Sequence, residues 1–367
     1  MKVACAYTGR SMSQPVLLNQ LNKEVGIELH LFKDHTENVS LIDFDYEHYS
    51  LDVQDIQIGQ QTALWATQYK LRNEWRDFLV EHLDEEFNLV IGMNDVATAA
   101  VDAADVFDIP SLFFIRNLEA SGQEMFSSDR SYLANFKLAD FGAKVQYPFF
   151  VNNFNEYRRG MANANRVIAN SKYVSQRVKC DFDVESDIIY PPINLDKYRI
   201  EHNSHDYIAA VNPRNRGKGA DIFLNLVEET PNEEFMCAGV FRDQSFKQRA
   251  GALSNLNYVG YCDDMRDFYN QTRIVIVPSR CNEAFGRSAA EPMVNGIPLV
   301  VSDRGGLPEV VGRTGEVVTK IDSINAWKQA IDTALEDHDP QAQKERVKRF
   351  SADTQGIRFA EIVAEVV

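Results

Sequence analysis

Short apolar runs alternate with longer amphipathic stretches along this chain, a pattern that few architectures absorb. A strand that needs both faces covered and a helix with one apolar stripe satisfy each other in layers around a parallel sheet. In the first half the runs Lys2–Ala6, Glu28–Phe32, Leu89–Gly92, Ser111–Ile115 and Arg166–Ala169 predict strands. Residues 62–86, 96–107 and 171–179 predict helices between them, with Ser171 as an N-cap. The run from Asp187 to Tyr190 then meets Pro191-Pro192, and the polar stretch 196–206 predicts a linker. The pattern restarts with strands at Tyr207–Val211, Glu234–Ala238, Asn257–Val259, Arg273–Val277 and Leu299–Val301. Helices are predicted at 220–229, 265–270, 287–295 and 324–336, with one or two more over 343–367.

The expected fold is α/β: two Rossmann-like, doubly wound domains facing across a cleft. At 367 residues the chain exceeds what one core serves. The expected boundaries are 1–195 and 196–345, with a final segment 346–367. Open parallel sheets bind ligands beyond the carboxyl ends of their strands, so the loops there hold the candidate residues.

Charge narrows the partners. The net charge is −16, with 17 basic and 28 acidic residues before position 190 and 21 and 26 after it. That field repels nucleic acid and anionic headgroups, and a small anionic ligand needs a local basic pocket. The five cysteines (5, 180, 237, 262, 281) form no Cys-x-x-Cys and are expected to be small buried apolar residues. No 18-residue apolar span occurs, and the run Val3–Tyr7 is too short for a leader, so a cytoplasmic protein without a transmembrane segment is expected.

The strand run ending at Val277 leads into Asn282-Glu-Ala-Phe-Gly-Arg-Ser-Ala-Ala-Glu291. Two carboxylates here flank a Phe-Gly pair at a strand-to-helix turn, where a helix N-terminus favours phosphate. Carboxylates repel phosphate but accept hydrogen bonds from sugar hydroxyls. A diphosphate between two sugars, as in a nucleotide-sugar, fits both demands. The bland alternative is a capping acid plus a surface Glu. Against it stands Ala210-Val-Asn-Pro-Arg-Asn-Arg-Gly-Lys-Gly219, with three cations and two glycines after the first strand of the second half.

Together with Gly296-Ile-Pro-Leu-Val-Val-Ser-Asp-Arg-Gly-Gly-Leu-Pro-Glu309, these segments resemble retaining GT-B glycosyltransferases of family 4 (glycosyl transferases group 1). The match is sharp over about residues 207–318 and looser in the first half, at Asn170-Ser171 and Pro192–Asp196. The resemblance implies a last helix returning toward the first domain. It implies that Glu291 holds ribose hydroxyls and Glu283 those of the transferred sugar. The backbone of Phe285 and Gly286, with Arg287 and Ser288, would contact sugar and phosphates. Lys218 and an arginine, Arg214 in preference to Arg216, would neutralise the diphosphate. The catalytic set is then Glu283, Arg214 and Lys218, with no metal and no cofactor.

In the first domain the family often has two glycines after its first strand; here Thr8-Gly9-Arg10-Ser11 has one, Gly9. None of the seven histidines (30, 35, 48, 82, 202, 205, 338) falls where many members carry one near a middle strand end. Asn94-Asp95 and Arg116-Asn117 stand there, with Arg116 either a substrate contact or a structural ion pair. The implied activity is retaining, metal-independent transfer of a sugar from a UDP- or GDP-sugar to an acceptor sugar, glycan or small molecule. A nucleotide-sugar epimerase and a non-catalytic sugar-nucleotide binder are the alternatives. A nicotinamide dehydrogenase is disfavoured because Tyr7–Met12 lacks Gly-x-Gly-x-x-Gly.

Overall fold

The computed structural model describes residues 1–9, 13–34, 41–58, 61–116, 141–201, 204 and 206–367. It divides into two units, Met1–Tyr190 with Gly356–Val367, and Pro191–Gln355.

In the first unit the strands are β1 (Lys2–Tyr7), β2 (Glu28–Lys33), β3 (Tyr46–Ser50), β4 (Gln57–Ile58), β5 (Gln61–Thr62), β6 (Leu89–Met93), β7 (Ser111–Ile115), β8 (Arg166–Ala169) and β9 (Asp187–Ile188). Seven form one sheet in the order β3-β2-β1-β6-β7-β8-β9, all parallel, while β4 and β5 make a small antiparallel pair. Side chains alternate across a strand. Val3, Cys5 and Tyr7 accordingly join the cluster containing Leu17, Leu18 and Leu21, while Ala4 and Ala6 join the one containing Trp75, Leu79, Ala99 and Ala103. The first cluster also takes in Phe359, Ile362 and Val363, and Phe359 meets Phe114 edge to face at 5.5 Å. The last helix, Ala352–Ala364, thus packs its residues from Gly356 onward into the first unit's core.

The second unit repeats the plan with β10 (Tyr207–Val211), β11 (Phe235–Ala238), β12 (Leu256–Gly260), β13 (Thr272–Val277), β14 (Leu299–Ser302) and β15 (Glu316–Val318). These are parallel, in the order β12-β11-β10-β13-β14-β15. Helix Ala220–Glu229 contributes Phe223, Leu226 and Val227 to its core, and helix Ile324–Glu336 contributes the fully buried Trp327 and Ile331.

Several expectations need correction. The stretch from Asp196 is not all linker: Leu195–Tyr198 is a short helix capped by Asn194, whose side chain accepts from the Lys197 N–H at 3.2 Å. Of the cysteines only Cys5 and Cys237 are buried, whereas Cys180 is exposed and Cys262 and Cys281 are half-buried. Strand β3 is half exposed and polar, so it lacks an apolar run, and helix Phe141–Asn163 carries an internal Pro148 that reads as a stop. Arg10–Met12, Asn117, His35, His202 and His205 lie outside the described residues.

Candidate functional site

In the second unit, chain order reverses between β10 and β13, the neighbouring strands from which the connections run in opposite directions. Such a switch point opens a crevice at the strand ends. The loop after β10 carries Arg214, Arg216 and Lys218, and the loop after β13 carries Glu283.

The two loops are fastened backbone to backbone. The N–H groups of Arg280 and Cys281 both donate to the Gly217 carbonyl, at 2.8 and 2.9 Å. Gly219 has φ +77°, and a Cβ there would lie 1.9 Å from the Pro278 carbonyl oxygen, so only glycine permits this approach. Asn215 caps the turn by accepting from the Lys218 N–H at 2.9 Å. On the other side, the Gly306 N–H donates to the Glu283 carbonyl at 2.7 Å, within a parallel bridge of Glu283 with Gly305.

That frame sets the chemistry. Lys218 Nζ donates to both Glu283 oxygens at 2.7 Å, and the buried Ser279 hydroxyl donates to Oε1 at 2.5 Å. Glu283 is 13% exposed and Lys218 28%, so the pair is shielded yet reachable. The arginines differ. Arg216 is 78% exposed and leans on Asp221 at 3.6 Å. Arg214 is half-buried, its Nε buried without a hydrogen-bond partner among the described residues. An unsatisfied buried donor is costly unless a ligand meets it. Arg280 is occupied elsewhere, binding Asp221 at 3.0 and 3.1 Å and Asp322 at 2.5 Å.

Phe285 is buried, packing edge to face on Phe350 at 5.0 Å. Gly286 opens helix Arg287–Met293 with φ +105°, where a Cβ would come 2.5 Å from a Leu307 methyl. Ser288 is half-buried in the first turn.

Glu291 sits deeper than the sequence suggested. Its Oε1 accepts from the Tyr198 hydroxyl and from Arg287 Nε, each at 3.0 Å, and pairs with the Arg287 Nη2 charge at 3.0 Å. The Tyr269 hydroxyl lies 3.5 Å from Oε2. Arg287 also donates to the Tyr198 oxygen at 3.1 Å and the Pro192 carbonyl at 3.4 Å. Arg287, expected to touch substrate, braces Glu291. Burial, the largest single influence, opposes its charge, but Glu291 and Tyr198 together outweigh it, and the guanidinium holds its proton more tightly than an ordinary arginine. Burial, then the Glu291 charge, pushes the Tyr198 hydroxyl up to about 12, so it stays a donor. Sequence reading had placed Tyr198 in a linker; the signal for its helix was the Asn194 cap.

In the first unit, residues gather at the carboxyl ends of β1, β2, β6, β7 and β8. The Gly9 N–H donates to Asp34 Oδ2 at 2.7 Å. The Arg116 N–H donates to Asn94 Oδ1 at 2.9 Å, and Asn170 Nδ2 donates to the Arg116 carbonyl at 2.7 Å. Arg116 is thus fixed by its backbone beside the expected Asn94-Asp95 pair. Lys33 is fully buried against Asp34 at 3.2 Å. Among the described residues no helix is long and apolar enough to cross a membrane.

The comparisons agree with this geometry. The family model described as "Glycosyl transferases group 1" matches residues 207–337. A D-inositol 3-phosphate glycosyltransferase of Corynebacterium kroppenstedtii is 25% identical over 213 residues, covering 48% of this chain and 47% of the relative. An uncharacterized 42.6 kDa protein of the Klebsiella pneumoniae cps region is 32% identical over 94 residues, 25% of each chain. The chain thus spans half or less of the length of these curated relatives. Among solved structures, Anabaena HepE in complex with UDP and glucose aligns over 99% of both chains with a TM-score of 0.68 at 17% identity. Sucrose-phosphate synthase from Thermosynechococcus elongatus covers 99% of this chain and 98% of its own, with a TM-score of 0.70 at 16% identity. At such identities the likeness speaks for the fold, two Rossmann-like units of the GT-B class. The sheet order and the Lys218–Glu283 loop pair lie within the matched segment, and over residues 207–337 the chain is similar to the group 1 glycosyltransferases.

Proposed function

We propose that the chain is a retaining glycosyltransferase that takes a sugar from a UDP- or GDP-sugar to an acceptor sugar, glycan or small molecule, without a metal. The observation that carries the reading is the Lys218–Glu283 pair held between two loops at the sheet's switch point, with Arg214 on the same loop keeping an unsatisfied nitrogen. The two charges neutralise each other. With donor bound, the diphosphate draws Lys218 and Arg214, and sugar hydroxyls take the lysine's place on Glu283. Glu291 receives the ribose. The bond from the anomeric carbon to the diphosphate oxygen breaks with its electron pair going to the phosphate. The acceptor oxygen bonds to the same face of that carbon, and its proton passes to the leaving phosphate oxygen. Lys218, Arg214 and the first-turn N–H groups after Gly286 stabilise the charge that develops there. HepE, a structural neighbour, was solved with UDP and glucose, which supports a nucleotide-sugar donor here.

The test is incubation with a panel of UDP- and GDP-sugars, read by thermal shift and product analysis. Slow donor hydrolysis with release of free sugar is expected. A new sugar epimer would point to an epimerase instead, and binding without turnover to a non-catalytic binder.

A further inference from the structure

Tyr198 lies outside the matched segment 207–337, yet its hydroxyl reaches the second carboxylate of the site. We propose that Tyr198 is a positioning residue for donor recognition: with Arg287 it saturates Oε1 of Glu291, so the ribose is read through Oε2. The inference rests on the ribose role given to Glu291 above.

A carboxylate oxygen offers about two lone-pair sites. Oε1 already receives two donors, the Tyr198 hydroxyl and Arg287 Nε, both at 3.0 Å. Oε2 has the Tyr269 hydroxyl at 3.5 Å, the outer edge of hydrogen-bonding distance, and so retains capacity. The same contacts fix the carboxylate's rotation, because turning it would break both bonds to Oε1. A ribose hydroxyl then meets an oxygen whose direction is set before binding, which lowers the ordering cost of recognition.

Tyr198 is itself held by its backbone, not by the hydroxyl. Asn295, just beyond the helix that bears Glu291, donates through Nδ2 to the Tyr198 carbonyl at 2.8 Å and accepts at Oδ1 from the Ile200 N–H at 3.0 Å. Removing the hydroxyl therefore leaves the ring and its segment in place and releases the carboxylate together with the Arg287 Nη2 that donates to that hydroxyl oxygen.

The experiment measures binding of UDP, GDP and their 2′-deoxy and 3′-deoxy forms by calorimetry to wild type, Tyr198→Phe and Glu291→Gln, with melting temperatures and donor kinetics alongside. Wild type should bind at least one ribonucleotide about tenfold more tightly than one of its deoxy forms. Tyr198→Phe should weaken that ribonucleotide about tenfold, leave the weaker deoxy form within about twofold, and raise donor KM more than it lowers kcat. Equal weakening of ribo and deoxy forms with a lowered melting temperature would mark Tyr198 as merely structural and overturn the proposal. So would a variant that discriminates like wild type. If Glu291→Gln keeps full ribose discrimination, or neither nucleotide binds wild type, the ribose role of Glu291 fails first and the proposal with it.

Discussion

The two units share a plan and differ in what they place at the strand ends. In Pro191–Gln355 the ends of β10 and β13 present charged side chains to one another, Lys218 on Glu283, with the Arg287–Glu291 pair on the helix that follows. In the first unit the corresponding ends are tied mostly through backbone groups, Gly9 to Asp34, Arg116 to Asn94 and Arg116 to Asn170, and the charged pair there, Lys33 with Asp34, is buried on its lysine side. A charged pair that a ligand can separate is suited to catalysis, because its members exchange partners as charge moves. Backbone-tied amides are suited to holding a shape. The second unit therefore carries the chemistry in the reading proposed here, and the first a scaffold for the acceptor.

Four substitutions sharpen or break that division. Phe359→Ala removes a fully buried ring that packs on Phe114 in the first unit and should cost about 3–5 kcal/mol in denaturant unfolding. Nucleotide affinity of the folded fraction should not change; if it does, the division is wrong. Lys218→Ala should lower kcat with a nucleotide-sugar by about 10²–10³-fold, the scale for one preorganised group at a developing charge. A loss under tenfold removes Lys218 from the leaving-group role. Arg214→Ala should raise donor KM by about tenfold, since a charge-assisted bond to phosphate is lost. Arg216→Ala, at an exposed pair, should change stability by less than about 1 kcal/mol and leave donor KM within about twofold. Interchanged results for the two arginines would mean that the loop turns over when donor binds.

The strand periodicity was legible in both halves. Tyr207–Val211, Ser111–Ile115 and Arg166–Ala169 were predicted to the residue, because buried parallel strands are continuous apolar runs. Strand β3 and helix Phe141–Asn163 were not, the one lacking an apolar run and the other broken by Pro148. At the site, the basic loop and the two glutamates stood out as motifs. What Arg287 does with its guanidinium, and that Tyr198 reaches Glu291, did not, since that contact joins residues 93 positions apart.

Residue order alone yielded the α/β class, the two strand-helix series and the charged groups that follow β10 and β13. These are local properties, set by periodicity and by which residue types sit beside a glycine turn. Tertiary structure decided which charges meet. It paired Lys218 with Glu283, left the Arg214 Nε without a partner among the described residues, and enclosed Glu291 between Arg287 and Tyr198. The reason is geometric: a hydrogen bond depends on distances of about 3 Å and on direction, and only the folded chain brings distant loops that close.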